Sequence, residues 1–319
     1  MTSTIERLPP EQTVAARLPR SDRDRKAGWL RRAPLLPALV FTVVVTQLPF
    51  LLTLWYSFQD YQLLYPTRPR KFPTLDNYRL VFSDPVFRSA VGTTLILTIV
   101  PVVLSVVLGV IVALLLNRRV FGRGFLRTLV ISPFLVMSSA AALIWKFSIL
   151  DTTFGVLNWF VGLFGLGPED WISIHPKGVL IAFLTWQWTP FMVLLALAGL
   201  QSQGDDILEA ARVDGARAWQ IFKSLTLPHL RPYIELGVLL GAIYIVQAFD
   251  GVYMITQGGP STDSTNLPYY IYRVGFTGSL DIGRASAMSV VVVVATILVA
   301  TLALRMVSSL FSDEGMRGR

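Results

Sequence analysis

The chain alternates between long apolar runs and shorter polar segments. Six runs carry almost no Asp, Glu, Lys or Arg, and each is close to the length of about 20 residues that a membrane-spanning helix needs. Helices of this length satisfy their own backbone hydrogen bonds in lipid. We therefore expect an all-α polytopic membrane protein with six transmembrane helices. The six runs are Leu35–Tyr56, Ala90–Leu116, Leu129–Trp145, Val179–Leu200, Tyr233–Ile255 and Ala285–Val307.

Composition supports a membrane protein and excludes several kinds of chemistry. Of the 319 residues, 53% are hydrophobic and 15% are charged, against about 25% charged in soluble domains. The chain has no cysteine, which excludes disulfides, thiolate metal sites and a cysteine nucleophile. No Walker A pattern occurs, and the two histidines each lie beside a proline. We expect no catalytic residue, no metal site and no cofactor in this chain.

The net charge of +8 is better explained by membrane topology than by nucleic-acid binding. With the N-terminus inside, 19 of the 28 Lys and Arg residues fall in segments on the inner side, as the positive-inside rule requires. This count places both termini in the cytoplasm. The first outer loop, "YPTRPRKFPTLDNYRLVF", is itself basic and weakens the bias.

These patterns divide the chain into three parts. We expect residues 1–33 to be a basic cytoplasmic arm, because they are polar, carry eight Lys or Arg, and are not followed by the cleavage pattern of a signal peptide. We expect residues 34–310 to form the six-helix membrane domain and residues 311–319 to form a cytoplasmic tail.

Asp205–Pro232 is a polar segment between the fourth and fifth apolar runs. Asp205 or Asp206 is predicted to cap a helix, with Glu209 at the position of a capping box. Gly215 is predicted to end that helix, since glycine adopts the left-handed conformation without steric cost.

A second helix is predicted to follow in the same segment. Trp219, Phe222 and Leu225 lie near one face of it. Pro228 is predicted to break it before the fifth run, because proline cannot continue the hydrogen-bond ladder. The residues alone leave open whether this is an ordinary amphipathic inner loop or a rigid docking element.

The stretch "EAARVDGARAWQIFKSLTLP" resembles the Glu-Ala-Ala loop of integral permeases of binding-protein-dependent ABC importers. Leu225 stands where the family pattern has Ile, which keeps an apolar side chain there. The matching residues are Glu209, Ala210, Ala211, Gly215, Leu227 and Pro228.

Two further stretches point to the carbohydrate, maltose-type branch of these permeases. They are "FDGVYMITQGGPSTDSTNLPYYIYRVGF" and "WYSFQDYQLLYP", which look closest to mannitol/sorbitol-type systems. The resemblance covers residues 35 to about 310.

The resemblance implies a set of partners and a location. Residues 203–232 would be the coupling loop, which docks on a cytoplasmic ATPase subunit; ATP would be hydrolysed there and not in this chain. A second homologous permease, two ATPases and an extracytoplasmic binding protein would complete the importer, in the bacterial inner membrane. A rigid helix pair transmits ATPase closure, whereas a flexible linker would absorb it.

Polar and aromatic residues inside the fourth and fifth runs are candidates for the solute pathway. Buried polar groups in membrane spans usually face a cavity or each other, and aromatic faces beside amides and carboxylates suit a sugar or sugar alcohol. The alternative is that they hold helices together. The candidates are Trp186, Gln187, Trp188, Tyr244, Gln247 and Asp250.

Three other functions are weighed against a sugar permease. A permease for a phosphorylated polyol such as glycerol phosphate would need cations near the pathway. An ion-coupled secondary transporter would show inverted repeats with paired broken helices, and the polar insert would have no role. A membrane sensor or scaffold would use the insert to bind a signalling partner without stimulating ATP hydrolysis.

Overall fold

A computed structural model describes residues 35–118 and 122–297. Apart from one isolated pair of bridging residues, Gln62 and Asp281, this part of the chain is helical or irregular. The chain divides into two compact units, residues 1–52 and residues 53–319. Contacts described below lie within the second unit.

The helices follow the apolar runs and the polar insert. In chain order they are α1 (Leu36–Ser57), α2 (Asp76–Ser83), α3 (Pro85–Asn117), α4 (Arg123–Leu135), α5 (Ser138–Ile144, continued by a π-helical turn, Trp145–Ile149), α6 (Val156–Gly162), α7 (Trp171–Ile174), α8 (Pro176–Ser202), α9 (Asp205–Val213), α10 (Ala218–Ile221, continued by a π-helical turn, Phe222–Thr226), α11 (Leu227–Ile245), a π-helical turn (Val252–Thr256), α12 (Leu267–Tyr272, continued by a π-helical turn, Arg273–Thr277) and α13 (Ile282–Ile297).

Three of the predicted spans are single helices. The first, second and fourth runs form α1, α3 and α8, which are long and apolar enough to cross a membrane. The described part of the sixth run lies in α13, up to residue 297. The N-terminal arm and the C-terminal tail fall outside the described residues.

The third and fifth runs are not single helices, contrary to the prediction. The third is divided into α4 and α5, which are bent by 100°. The fifth is interrupted between Ile245, where α11 ends, and Asp250. Counting the bent pair as one span, up to four helices in the described part are long and apolar enough to cross a membrane.

Helices α3, α8 and α11 approach closely around one methionine. A Cβ added to Gly109 on α3 would lie 2.5 Å from Met192 Cβ on α8. A Cβ added to Gly241 on α11 would lie 2.7 Å from Met192 Cε. Small residues at such contacts let helix backbones come together in a membrane, so these two glycines set the spacing of the three-helix core.

Buried polar contacts tie the predicted outer segments together. Asp84 caps α3 by accepting from the backbone N–H of Val86 at 2.9 Å, and it also accepts from Tyr270 Oη and Arg284 Nη2. Burial, with the hydrogen bond to Asp84, raises the pKa of Tyr270 to about 12. The Asn77 side-chain amide, 4% exposed, donates to the backbone oxygens of Ser57 and Gln59.

Candidate functional site

The bend between α4 and α5 comes from a proline and an extended dipeptide. Pro133 cannot donate to the carbonyl of Leu129, one helical turn earlier, and the Ser132 hydroxyl donates to that oxygen instead at 2.9 Å. Val136 and Met137 then adopt extended backbone angles, and α5 starts at Ser138. The chain therefore changes direction without leaving the Leu129 carbonyl unpaired.

The break after α11 is stabilised by a side chain far along the sequence. The carbonyl of Ala248 has left the helical ladder, and the Asn266 amide donates to it at 2.5 Å. Asn266 is 2% exposed, and its Oδ1 also caps α12 by accepting from the N–H of Tyr269. Asn-Leu-Pro is a helix-start signal, but Asn266 was not among the functional residues predicted from the sequence.

The two breaks open onto one cavity of about 360 Å³. Its walls come from the end of α4, the start of α5, the middle of α8 and the interrupted fifth run. Five of the six predicted pathway residues line it, namely Gln187, Trp188, Tyr244, Gln247 and Asp250.

The lining combines amide, carboxylate and aromatic groups. Gln187 is buried, and its Oε1 accepts from Ser138 Oγ at 3.3 Å. The rings of Trp188 and Tyr244 stack with their centroids 5.6 Å apart. The Gln247 side-chain amide donates to the Ile243 carbonyl in the last turn of α11, which leaves its Oε1 available for another donor. Ser138 and Phe134, which also line this cavity, were not among the predicted pathway residues.

Trp186, the sixth predicted pathway residue, lies elsewhere. It lines a separate, apolar cavity of about 560 Å³ beside α3 and α4, and its ring lies 5.6 Å from that of Trp145. Consecutive residues on a helix point about 100° apart, which separates Trp186 from Gln187.

Helix α9 of the Glu-Ala-Ala segment ends as predicted, in a Schellman motif. Gly215 has φ +80°, its N–H donates to the carbonyl of Arg212 at 3.1 Å, and the N–H of Ala216 donates to that of Ala211 at 2.9 Å. These bonds fix the turn between α9 and α10 and satisfy two carbonyls at the end of α9.

The predicted cap at the start of α9 is wrong. Gly204 is the N-cap residue and no side chain caps the helix, so Asp205 and Asp206 lie in the first turn. Their charges still favour this end of the helix through its dipole. Glu209 lines a polar cavity between α9 and the ends of α3, α4 and α8 instead of closing a capping box.

Two faces of α9 differ in chemistry. Asp205, Leu208, Glu209 and Arg212 repeat at helical spacing and line the polar cavity. Elsewhere on the helix, Ile207 is 55% exposed and Val213 at its end is 87% exposed. Ala210 is also exposed, and Ala211 is half-buried.

The predicted break at Pro228 does not occur. Residues 218–245 run without interruption through α10, the π-helical turn and α11, with Leu227 and Pro228 opening α11. Pro228 follows a π-helical turn, and at such a start the missing N–H removes no required hydrogen bond. A continuous helical segment therefore joins α10 to α11.

The chain combines a cavity at two helix breaks in its apolar part with the structured polar segment of α9 and α10. This combination defines a membrane transport subunit.

Among the described residues, no group of three or more His, Cys, Asp or Glu side chains is placed to hold a metal ion.

The chain belongs to the family of inner membrane components of binding-protein-dependent transport systems, whose model matches residues 105–311. It is a permease subunit of an ABC importer, and members of this family act with a binding protein. A probable ABC transporter permease protein of Sinorhizobium fredii is 35% identical over 91% of this chain and 93% of its own length.

Further similarities agree in fold. The trehalose/maltose transport system permease protein MalF of Thermococcus litoralis is 33% identical over 85% of this chain and 91% of its own. A crystal structure of a bacterial ABC transporter involved in the import of the acidic polysaccharide alginate matches with a TM-score of 0.76 and 24% identity. The match covers 89% of this chain and 96% of that one.

Proposed function

We propose that this chain forms, with a second homologous permease, the path by which a neutral sugar or sugar alcohol crosses the bacterial inner membrane. The solute is delivered by an extracytoplasmic binding protein. Two cytoplasmic ATPase subunits supply the energy, and this chain hydrolyses no ATP.

The observation that carries the proposal is the lining of the cavity at the two helix breaks. Its described lining contains two glutamines, one serine and one carboxylate beside stacked aromatic rings, and no Lys or Arg. Amides, hydroxyls and carboxylates bond sugar hydroxyls, and aromatic faces cover the C–H faces of the ring. The carboxylate of Asp250 and the lack of cations disfavour a phosphorylated polyol.

Relatives support a carbohydrate solute. They include permease proteins of trehalose/maltose, trehalose and lactose transport systems. The choice among sugars and polyols is made by the binding protein as well as by this cavity.

The coupling role is assigned to residues 203–232. Glu209, Ala210, Ala211, Gly215, Leu227 and Pro228 match the family motif. The Schellman turn at Gly215 and the uninterrupted helix through Pro228 support a stiff connection from α9 to α11. Ile207, Val213 and Trp219 are exposed apolar side chains available to a groove on the ATPase.

The topology completes the proposal. Six spans, with both termini in the cytoplasm, place α9 on the inner side and Asp84, Tyr270 and Arg284 on the outer side. The proposed units remain the arm at 1–33, the permease domain at 34–310 and the tail at 311–319.

The test is uptake into proteoliposomes that hold the assembled importer, its ATPases and its binding protein. Gln187→Leu and Gln247→Leu each remove one polar contact facing the cavity, and losing a hydrogen bond of about 1–1.5 kcal/mol slows uptake by roughly tenfold. Gln47→Leu, an exposed glutamine on α1 that does not line this cavity, is the matched control. Uptake unchanged in both cavity variants contradicts the proposed pathway.

A further inference from the structure

The inner side of the chain holds a second cavity, distinct from the one at the helix breaks. It measures about 690 Å³, and it lies between the inner ends of α3, α4 and α8 and one face of α9. Its volume is in the usual range for small-molecule sites. Arginines from three different elements line it, and they are Arg118, Arg123, Arg127 and Arg212.

These arginines lack partners within the described part of the chain. None forms an ion pair there with a carboxylate. Nε of Arg123, and Nε and Nη2 of Arg127, are shielded from solvent without a hydrogen-bond acceptor. A buried donor left unpaired costs about 1–3 kcal/mol, more when it is charged. Arginine stays protonated in proteins, so this cost is relieved by an acceptor from outside.

The charge balance of the cavity selects an anion. Asp205 and Glu209 are its only acidic lining residues in the described chain, against four guanidinium groups. A net charge of two positives remains, which matches a phosphate group. Guanidinium groups bind phosphate oxygens in a bidentate manner, with geometry that an ammonium group does not reproduce.

The geometry points to a binding site for a phosphate-bearing anion in this inner cavity, held mainly by Arg123 and Arg127. The phosphate belongs to a lipid headgroup of the inner leaflet or to a soluble phosphate of the cytoplasm. Bound there, it connects the α3–α4 side of the membrane domain with α9. This inference does not depend on the identity of the transported solute.

An ATPase carboxylate is a less suitable occupant than a small anion. The cavity is lined by the Asp205, Leu208, Glu209 and Arg212 face of α9, which is turned toward the chain's own inner helix ends. The exposed apolar side chains Ile207 and Val213 are not part of that lining.

The first experiment measures thermal unfolding of the assembled transporter in neutral detergent with inorganic phosphate, against sodium chloride of equal ionic strength. Phosphate is expected to raise the Tm of the wild type. The double variant Arg123→Gln/Arg127→Gln is expected to weaken phosphate binding by at least about tenfold. Arg79→Gln/Arg88→Gln, two exposed arginines elsewhere in the chain, is the matched control with the same change in charge.

The second arm identifies a lipid source. The same proteins are placed in nanodiscs of phosphatidylcholine, with or without phosphatidylglycerol, and the Tm and the retained phosphatidylglycerol are measured. A response to phosphatidylglycerol that Arg123→Gln/Arg127→Gln abolishes, without a response to phosphate, assigns the site to lipid. A phosphate response abolished by the same variant assigns it to a soluble anion.

Arg127→Lys keeps the charge without the bidentate geometry, and it is expected to bind more weakly than the wild type while remaining folded. The inference is overturned if neither probe shifts the Tm, or if the shifts are equal in the wild type and in Arg123→Gln/Arg127→Gln. It is also overturned if that variant loses only its affinity for the ATPase, which would assign the arginines to the subunit interface.

Discussion

Charged side chains cluster at two polar edges of this chain, and they differ in whether their hydrogen-bond partners come from the same chain. On the proposed outer side, Asp84 is 8% exposed and its carboxylate accepts hydrogen bonds from Val86, Tyr270 and Arg284 of the same chain. On the proposed inner side, guanidinium groups are left without acceptors and Val213 is 87% exposed. The Asp84 carboxylate is therefore satisfied within the chain, whereas the guanidinium groups of Arg123 and Arg127 are left with unpaired donors.

The difference follows from what buried polar groups require. A charge taken out of water must be paired, or it destabilises the fold by several kcal/mol. Where the partners are in the same chain, as at Asp84, the contact stabilises the subunit. Where the partners are missing from the chain, as at Arg127, a bound anion supplies the acceptors. The comparison therefore predicts stability effects outside and functional effects inside.

The largest stability effect is expected from Asp84→Asn. The change leaves Arg284 partly buried without a carboxylate, and breaking one partner of a buried pair costs about 3–5 kcal/mol. Thermal unfolding of the purified assembly should show a clearly lower Tm. Asp60→Asn, which removes an exposed pair with Arg68 at 3.4 Å, should cost less than about 1 kcal/mol. Equal losses in the two variants would show that the burial of the Asp84–Arg284 pair does not add to its stabilising effect.

Gly215→Val should have a smaller effect on stability and a large one on transport. A β-branched residue at φ +80° costs about 1–3 kcal/mol locally, and it distorts the turn between α9 and α10. Solute-stimulated ATP hydrolysis and uptake should both fall by more than about tenfold, while membrane insertion is retained.

The control for this turn is Gly167→Val, outside the coupling segment. Gly167 is not among the positive-φ glycines, and a Cβ placed there meets nothing within 4 Å. It should keep most of the wild-type uptake. Wild-type uptake by a well-expressed Gly215→Val protein would show that the turn does not need to be rigid.

The smallest effect is a loss of stability at high pH. Burial raises the pKa of Tyr270 from 10.0 to about 12, so the folded state holds this proton more tightly than the unfolded state does. The resulting stability is complete below pH 10 and is lost as the pH rises toward 12. Tm measured across this range should fall less steeply in Tyr270→Phe than in the wild type. Parallel pH profiles would show that Tyr270 does not contribute.

The sequence predicted the helices with strong local signals. The length of the apolar runs was enough to predict α1, α3 and α8, and Gly215 was enough to predict where α9 ends. Polar and aromatic residues inside the fourth and fifth runs were predicted as pathway candidates, and five of the six candidates line one cavity.

The helix breaks depended on contacts distant in sequence, which a local pattern does not contain. Ala248 leaves its helix because Asn266, 18 residues later, supplies the lost hydrogen bond. The third run bends after Leu135, where the local sequence indicates only the weaker kink at Pro133. Pro228 was predicted to end a helix, because a π-helical turn before it is not visible in the residue pattern.

The most direct test of the coupling role is a crosslink. The chain has no cysteine, so Val213→Cys places a single thiol on the exposed end of α9. In the assembled importer, a bifunctional thiol-reactive reagent is expected to join it to the ATPase subunit, and Arg79→Cys on the proposed outer side is expected to give no such product. An assembled, active importer in which Val213→Cys never crosslinks to the ATPase would contradict the account.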